Sequence, residues 1–174
     1  MTEAAAEPPP VLLITAPAAL TTPWLVRERF TAWLTALRWP EPAAADVVFA
    51  VSEAVSNAAE HAYTPDALDP VIEINAILEH LPGSDAGAAT RTDAGHDQRA
   101  DDGEEHPAQR LQIEVRDYGL WRPVSPDPGY RGRGLQMMVA LMDNVAIQHS
   151  DAGHPGTVIT LISPSVIPNP RADP

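Results

Sequence analysis

Apolar residues along this chain recur with two periods, and the alternation between them lays out a small α+β domain. Val11 to Ile14 is a short apolar run, read as a strand. Thr22-Pro23 follows as a cap and a first-turn proline. They open a helix in which Val26, Phe30, Trp33, Leu34 and Leu37 recur at helical spacing. A second helix runs from Pro42 to about Ala62, with Val47, Val48, Val51, Val55 and Ala58 as its core stripe. Val71 to Leu78 reads as a strand. Leu111, Ile113 and Val115 then alternate with Gln112, Glu114 and Arg116, the period of a half-buried strand. Gly134 to Asp143 is a third helix with Leu135, Met138, Val139 and Met142 inward. Val145 to His149 and Thr157 to Ile162 are two more strands, joined by a turn through Asp151 to Gly156. Helices and mostly hairpin-linked strands in this order predict a two-layer α/β sandwich, its mixed, mostly antiparallel sheet covered on one face by three helices.

Composition changes the picture at the ends and in the middle. Met1 to Pro10 and Pro164 to Pro174 are Pro/Ala/acidic stretches with little to bury and read as disordered tails. Pro82 to Gln109 has no aliphatic residue larger than Ala and no aromatic; it carries seven acidic side chains against Arg91 and Arg99. With a strand on either side it reads as a disordered hairpin insertion, tolerable because loop closure becomes costlier only logarithmically with length. The ordered part, 11–163, is long enough for one domain with a hydrophobic core.

Charge and residue usage exclude several classes of chemistry. Acidic residues number 24 against 11 basic ones among 174, a net charge of −13. That balance argues against direct nucleic-acid binding, which needs a basic footprint, and against docking on an anionic membrane. Cysteine is absent, which removes disulfides, thiolate metal sites and cysteine nucleophiles. All 11 basic residues are Arg. Without Lys there is no Walker-type phosphate loop, no kinase of the eukaryotic type and no Schiff-base enzyme. No apolar run approaches a membrane span and no secretory leader is visible, so the expected location is the cytoplasm.

Three patterns carry candidate chemistry. Glu53, Asn57 and His61 stand at successive i, i+4 positions on one face of the second helix, with Glu60 beside them. Such a stripe is either a solvated face or a working pair, in which the carboxylate takes a proton and the amide oxygen joins the shell of a hard cation. Asp117 ends an alternating strand with Gly119 two residues on. It is either a turn former or an acceptor facing a ligand amine, the glycine letting backbone approach closely. Arg131-Gly132-Arg133-Gly134-Leu135 precedes and opens the third helix, where free N–H groups can meet an anion.

In order, EAVSNAAEHAY, RDYGLW, YRGRGLQMM and GTVITL resemble the N, G1, G2 and C-terminal boxes of the GHKL (Bergerat-fold) ATPase superfamily. Within it the pattern is most similar to the anti-sigma-factor serine/threonine kinases, in the actinobacterial form where Trp-Arg-Pro follows the Asp-x-Gly. The resemblance covers roughly Ala16 to Ile162. It implies ATP and Mg²⁺ as cofactors, Glu53 as general base and Asn57 as the Mg²⁺ ligand. It further implies Asp117 as acceptor for the adenine amine with Gly119 beside the ring, and Thr157 as adenine support through water. Gly132 and Gly134 would cradle phosphates, with Arg131 and Arg133 as phosphate partners; Leu135 of the same box and His61, one turn after Asn57, would join the nucleotide-binding residues. Trp121 stands where many members have a second Gly, and Arg122 to Tyr130 resembles a short, stiff ATP lid.

The implied function is an ATP-dependent regulatory kinase that sequesters a sigma factor and phosphorylates a Ser or Thr of a STAS-type anti-anti-sigma protein. A homodimer surface on the first helix is part of the same analogy. The competing readings are a nucleotide-binding anti-sigma module without transferase activity and a detached catalytic domain of the histidine-kinase kind.

Overall fold

A computed structural model describes residues 10–64, 66–82, 107–120, 133–149 and 155–170. Its elements, in chain order, are β1 (Val11–Pro17), α1 (Thr22–Ala36), α2 (Glu41–His61), β2 (Val71–His80), β3 (Gln109–Asp117), α3 (Arg133–Leu141), β4 (Asn144–His149) and β5 (Thr157–Ile162). The five strands form one sheet in the order β1-β2-β3-β5-β4, and each of the four pairings is antiparallel. The expected two-layer sandwich is thus present, with an antiparallel sheet in place of a mixed one.

Alternation along the strands decides which face the helices cover. Ile72, Ile74 and Ala76 of β2, Leu111, Ile113 and Val115 of β3, and Ile159 and Leu161 of β5 are buried. Period-two geometry turns all of them to one side. The helical stripes pack on that side: Val26, Phe30, Trp33 and Leu34 from α1, and Val47, Val51, Val55 and Ala58 from α2. Phe30 and Trp33 meet edge to face, their ring centroids 6.0 Å apart. Ala50, Ala54 and Ala58 put little between the α2 backbone and its neighbours, so this helix sits close against the other layers.

Four sequence expectations are corrected. The cap of α1 is Thr21; Thr22 is buried and its hydroxyl donates to Pro17 O at 2.6 Å, tying the helix to the end of β1. Val48 is only half-buried, because it lies at the margin of the α2 stripe. On α3, Met138 and Met142 are buried, whereas Leu135 and Val139 are 43 % and 58 % exposed. This nine-residue helix rests on α2 along a single ridge, so only one of its two apolar flanks is covered. Finally, the segment from Pro164 to Pro170 is docked where a disordered tail was expected. Val166 exchanges backbone hydrogen bonds of 2.7 and 2.8 Å with Gln109, Asn169 N–H reaches Arg38 O at 2.8 Å, and Pro168 is buried.

The acidic insertion lies almost wholly outside the described residues, but its neck is in place. Leu81 N–H donates to Ala108 O at 2.8 Å, and the cross-strand partners Glu79 and Arg110 form an ion pair at 2.6 Å. The insertion therefore leaves the sheet from the β2–β3 hairpin, at the end opposite Asp117.

Candidate functional site

The polar stripe of α2 meets two other elements, one toward each end. Glu53 and Asn57 are half-buried; His61 is exposed in the last turn and lies 3.8 Å from Glu60. Successive members of the stripe are about 6 Å apart along the helix axis. At the Glu53 end the helix meets α3. A methyl group placed on Gly134 would lie 2.3 Å from Glu53 Oε2, so the missing side chain is what lets the carboxylate reach the start of α3. Gly134 is the second residue of that helix, where backbone N–H groups have no intrahelical acceptor.

At the other end, the turn after β3 lies on the last turn of α2. Leu120 N–H donates to Ala62 O at 2.8 Å, and a methyl group on Gly119 would fall 1.9 Å from that oxygen. Only glycine admits so close an approach of the two backbones. The turn is anchored on its other flank by Tyr63, whose phenol donates to Val71 O and accepts from Tyr118 N–H at 2.9 Å.

Asp117 organises this end. It is 7 % exposed, and its Oδ1 accepts from Gly119 N–H at 3.0 Å and from Thr157 N–H at 3.2 Å. Burial raises its carboxyl pKa above the usual carboxylate range; the bonds from Gly119 and Thr157 and the nearby His149 oppose that rise. Gly156, at φ +143°, follows the same logic as Gly119, since a side chain there would strike Asp117 O at 2.3 Å. Thr157 is buried directly opposite Asp117 in the β3–β5 register.

The structure thus sets Gly134 against Glu53 at one end of the stripe and Gly119, bonded to Asp117 with Thr157 beside it, against Ala62 at the other. Arg133 and Leu135 are exposed in the first turn of α3, on either side of Gly134. Arg131, Gly132, Trp121 and the segment from Arg122 to Tyr130 lie outside the described residues. A cavity of about 290 Å³ sits on the β2 side of the turn, lined by Ala62, Tyr63, Val71, Tyr118, Gly119 and Leu120 among others. Neither Glu53 nor Asn57 lines it. Sequence reasoning missed Tyr63 and His149; Tyr63 ends the first box, and His149 is adjacent to Thr157 only through strand register.

The residues present fit a purine nucleotide. A buried carboxyl suits an exocyclic amine as its acceptor, and the N–H groups at a helix start suit phosphate oxygens. Among the described residues no group of three or more His, Asp or Glu is placed to hold a metal ion.

Fold and site together define an ATP-binding domain of the Bergerat class. The chain belongs to the histidine kinase-like ATPase domain family, whose sequence model matches residues 16–163. Its fold is similar to the crystal structure of the RsbU and RsbW domains of Rv1364c from Mycobacterium tuberculosis, with a TM-score of 0.57 and 25 % identity. That match covers 90 % of this chain and 33 % of the other, so the chain spans about a third of its solved relative. No helix among the described residues is long and apolar enough to cross a membrane.

Proposed function

We propose that the protein is an ATP-dependent serine/threonine kinase of regulatory type. It binds a sigma factor and holds it inactive, and it phosphorylates a Ser or Thr of a small STAS-type anti-anti-sigma partner in the cytoplasm. The observation that carries the reading is the contact of Glu53 Oε2 with Gly134, which sets a carboxylate beside the free N–H groups of α3. Membership of the ATPase family and the likeness to an RsbW domain support it.

When bound, ATP with Mg²⁺ supplies the transferable phosphoryl group and neutralises its charge. Asp117 accepts from the adenine amine, Gly119 gives the ring room, and Thr157 supports it through water. The Asn57 side-chain oxygen would hold Mg²⁺. N–H groups at Gly134, with Gly132 before it and Arg131 and Arg133 as cationic partners, would bind phosphate oxygens, and His61 and Leu135 would add contacts to the nucleotide. Glu53 Oε2 would take the proton of the partner's hydroxyl as that oxygen receives the γ-phosphoryl group and ADP leaves. Positioning and electrostatics of this kind account for most of phosphoryl-transfer catalysis.

Glu53→Gln tests the assignment. Incubation with labelled ATP and a candidate STAS-type partner is expected to show transfer slowed about 10²- to 10⁴-fold, with nucleotide affinity changed less than about threefold. Transfer at the wild-type rate overturns the role of Glu53. Tight nucleotide binding by the wild type with no phosphopartner favours the pure binding module.

A further inference from the structure

We propose that His149 is a positioning residue for Asp117, acting through the Thr157 hydroxyl; the inference rests on reading Asp117 as the acceptor for the nucleotide. Strand register carries it. β5 lies between β3 and β4, and the two registers place Asp117 opposite Thr157 and Thr157 opposite His149. Directly opposed residues share a face, so the three side chains form one row across the end of the sheet on the helix-bearing side. Thr157 Oγ1 is 3.5 Å from His149 Nδ1, Thr157 N–H donates to Asp117 Oδ1 at 3.2 Å, and the hydroxyl is among the groups that hold the Asp117 carboxyl pKa down. A hydroxyl has one proton to donate and lone pairs to accept with, so Thr157 can give its proton to Asp117 while accepting from the imidazole.

The chemistry explains why such a row matters. Asp117 accepts from an amine more strongly when ionised, yet burial favours its neutral form. Two backbone N–H groups and one hydroxyl oppose this with dipoles. Among the described groups acting on Asp117, His149 is the one able to add a positive charge. The Tyr63 phenol also faces Asp117 and is neutral, its pKa raised first by burial. Glu60 and His61, in the last turn of α2, pair with each other. Arg116 and Glu73 stand opposite each other one register step away, on the other face of the sheet. His149 therefore keeps the acceptor in its working state as the solution becomes acidic.

The test is His149→Gln, tolerated because His149 is exposed at the end of the edge strand. In the nucleotide-free protein, NMR titration of the Asp117 carboxyl is expected to move upward. Mg-ADP binding is expected to weaken about fivefold near pH 5.5 and less than about twofold near pH 8. In a Thr157→Val background, His149→Gln should keep at most about half of its single effect. An unmoved Asp117 titration, equal loss of ADP affinity at both pH values, or full additivity with Thr157→Val overturns the proposal. Because the carboxyl titration needs no nucleotide, an upward move in a protein that fails to bind ADP upholds the row and sinks the nucleotide reading instead.

Discussion

β3 is held at each end by a buried polar side chain that satisfies backbone N–H groups, and the two ends use opposite chemistry. At the insertion end, Ser163 is fully buried; its Oγ accepts from Leu111 N–H at 2.9 Å and donates to Pro164 O at 2.9 Å. Its backbone N–H bonds back to Leu111 O, and the chain runs on to pair Val166 with Gln109. A neutral hydroxyl with both capacities used costs little to bury. At the other end Asp117 does the same job for Gly119 and Thr157, but as a carboxyl that burial pushes toward neutrality. One end closes the fold, whereas the other spends stability on an acceptor that a ligand can use.

Changes at the two ends should therefore separate binding from stability. Asp117→Asn preserves an oxygen for the two N–H groups but presents an amide to the adenine amine. Loss of a charge-assisted bond predicts nucleotide affinity weakened about 10- to 100-fold by calorimetry, with a melting temperature no lower than wild type at neutral pH. Retained affinity would remove the distinction between the ends. Gly119→Ala drives a methyl group into the Ala62 carbonyl. It should cost about 1–3 kcal/mol in denaturant unfolding and erase nucleotide-induced thermal stabilisation as well. Ser163→Ala strands the Leu111 N–H and should cost about 1–2 kcal/mol of stability while leaving ADP affinity within about twofold.

The smallest effect is a pH dependence. A carboxyl whose folded pKa is raised contributes stability that is fully present below its unfolded value, near 3.8, and lost as pH rises through the folded value. The melting temperature of Asp117→Asn relative to wild type should thus be lowest near pH 4 and climb toward pH 7. A flat difference across that range would mean that Asp117 carries no burial penalty.

Much of the site was legible before any coordinates. The i, i+4 spacing of Glu53, Asn57 and His61 places them on one helix face whatever the fold, and glycine at 119 marks close approach. Less legible was what Gly119 and Gly134 approach, the Ala62 carbonyl and the Glu53 carboxylate, because both contacts join residues far apart in the chain. On α3 the apolar positions fit two flanks equally well, and packing against α2 chose Met138 and Met142 over Leu135 and Val139. The docked segment through Pro170 escaped notice for a related reason. Its proline-rich composition offers no period, and its order comes from backbone bonds to Gln109 and Arg38.

By itself, the order of residues determined the elements, the buried face of β3 and the four boxes of a nucleotide-binding domain, since these depend on local period and on residue type at fixed spacing. Only the tertiary structure decided that β5 enters the sheet between β3 and β4. That choice sets Asp117, Thr157 and His149 side by side. The physical reason is that strand neighbours are selected by which apolar faces can be buried together, and this competition over the whole chain leaves no mark in any one segment.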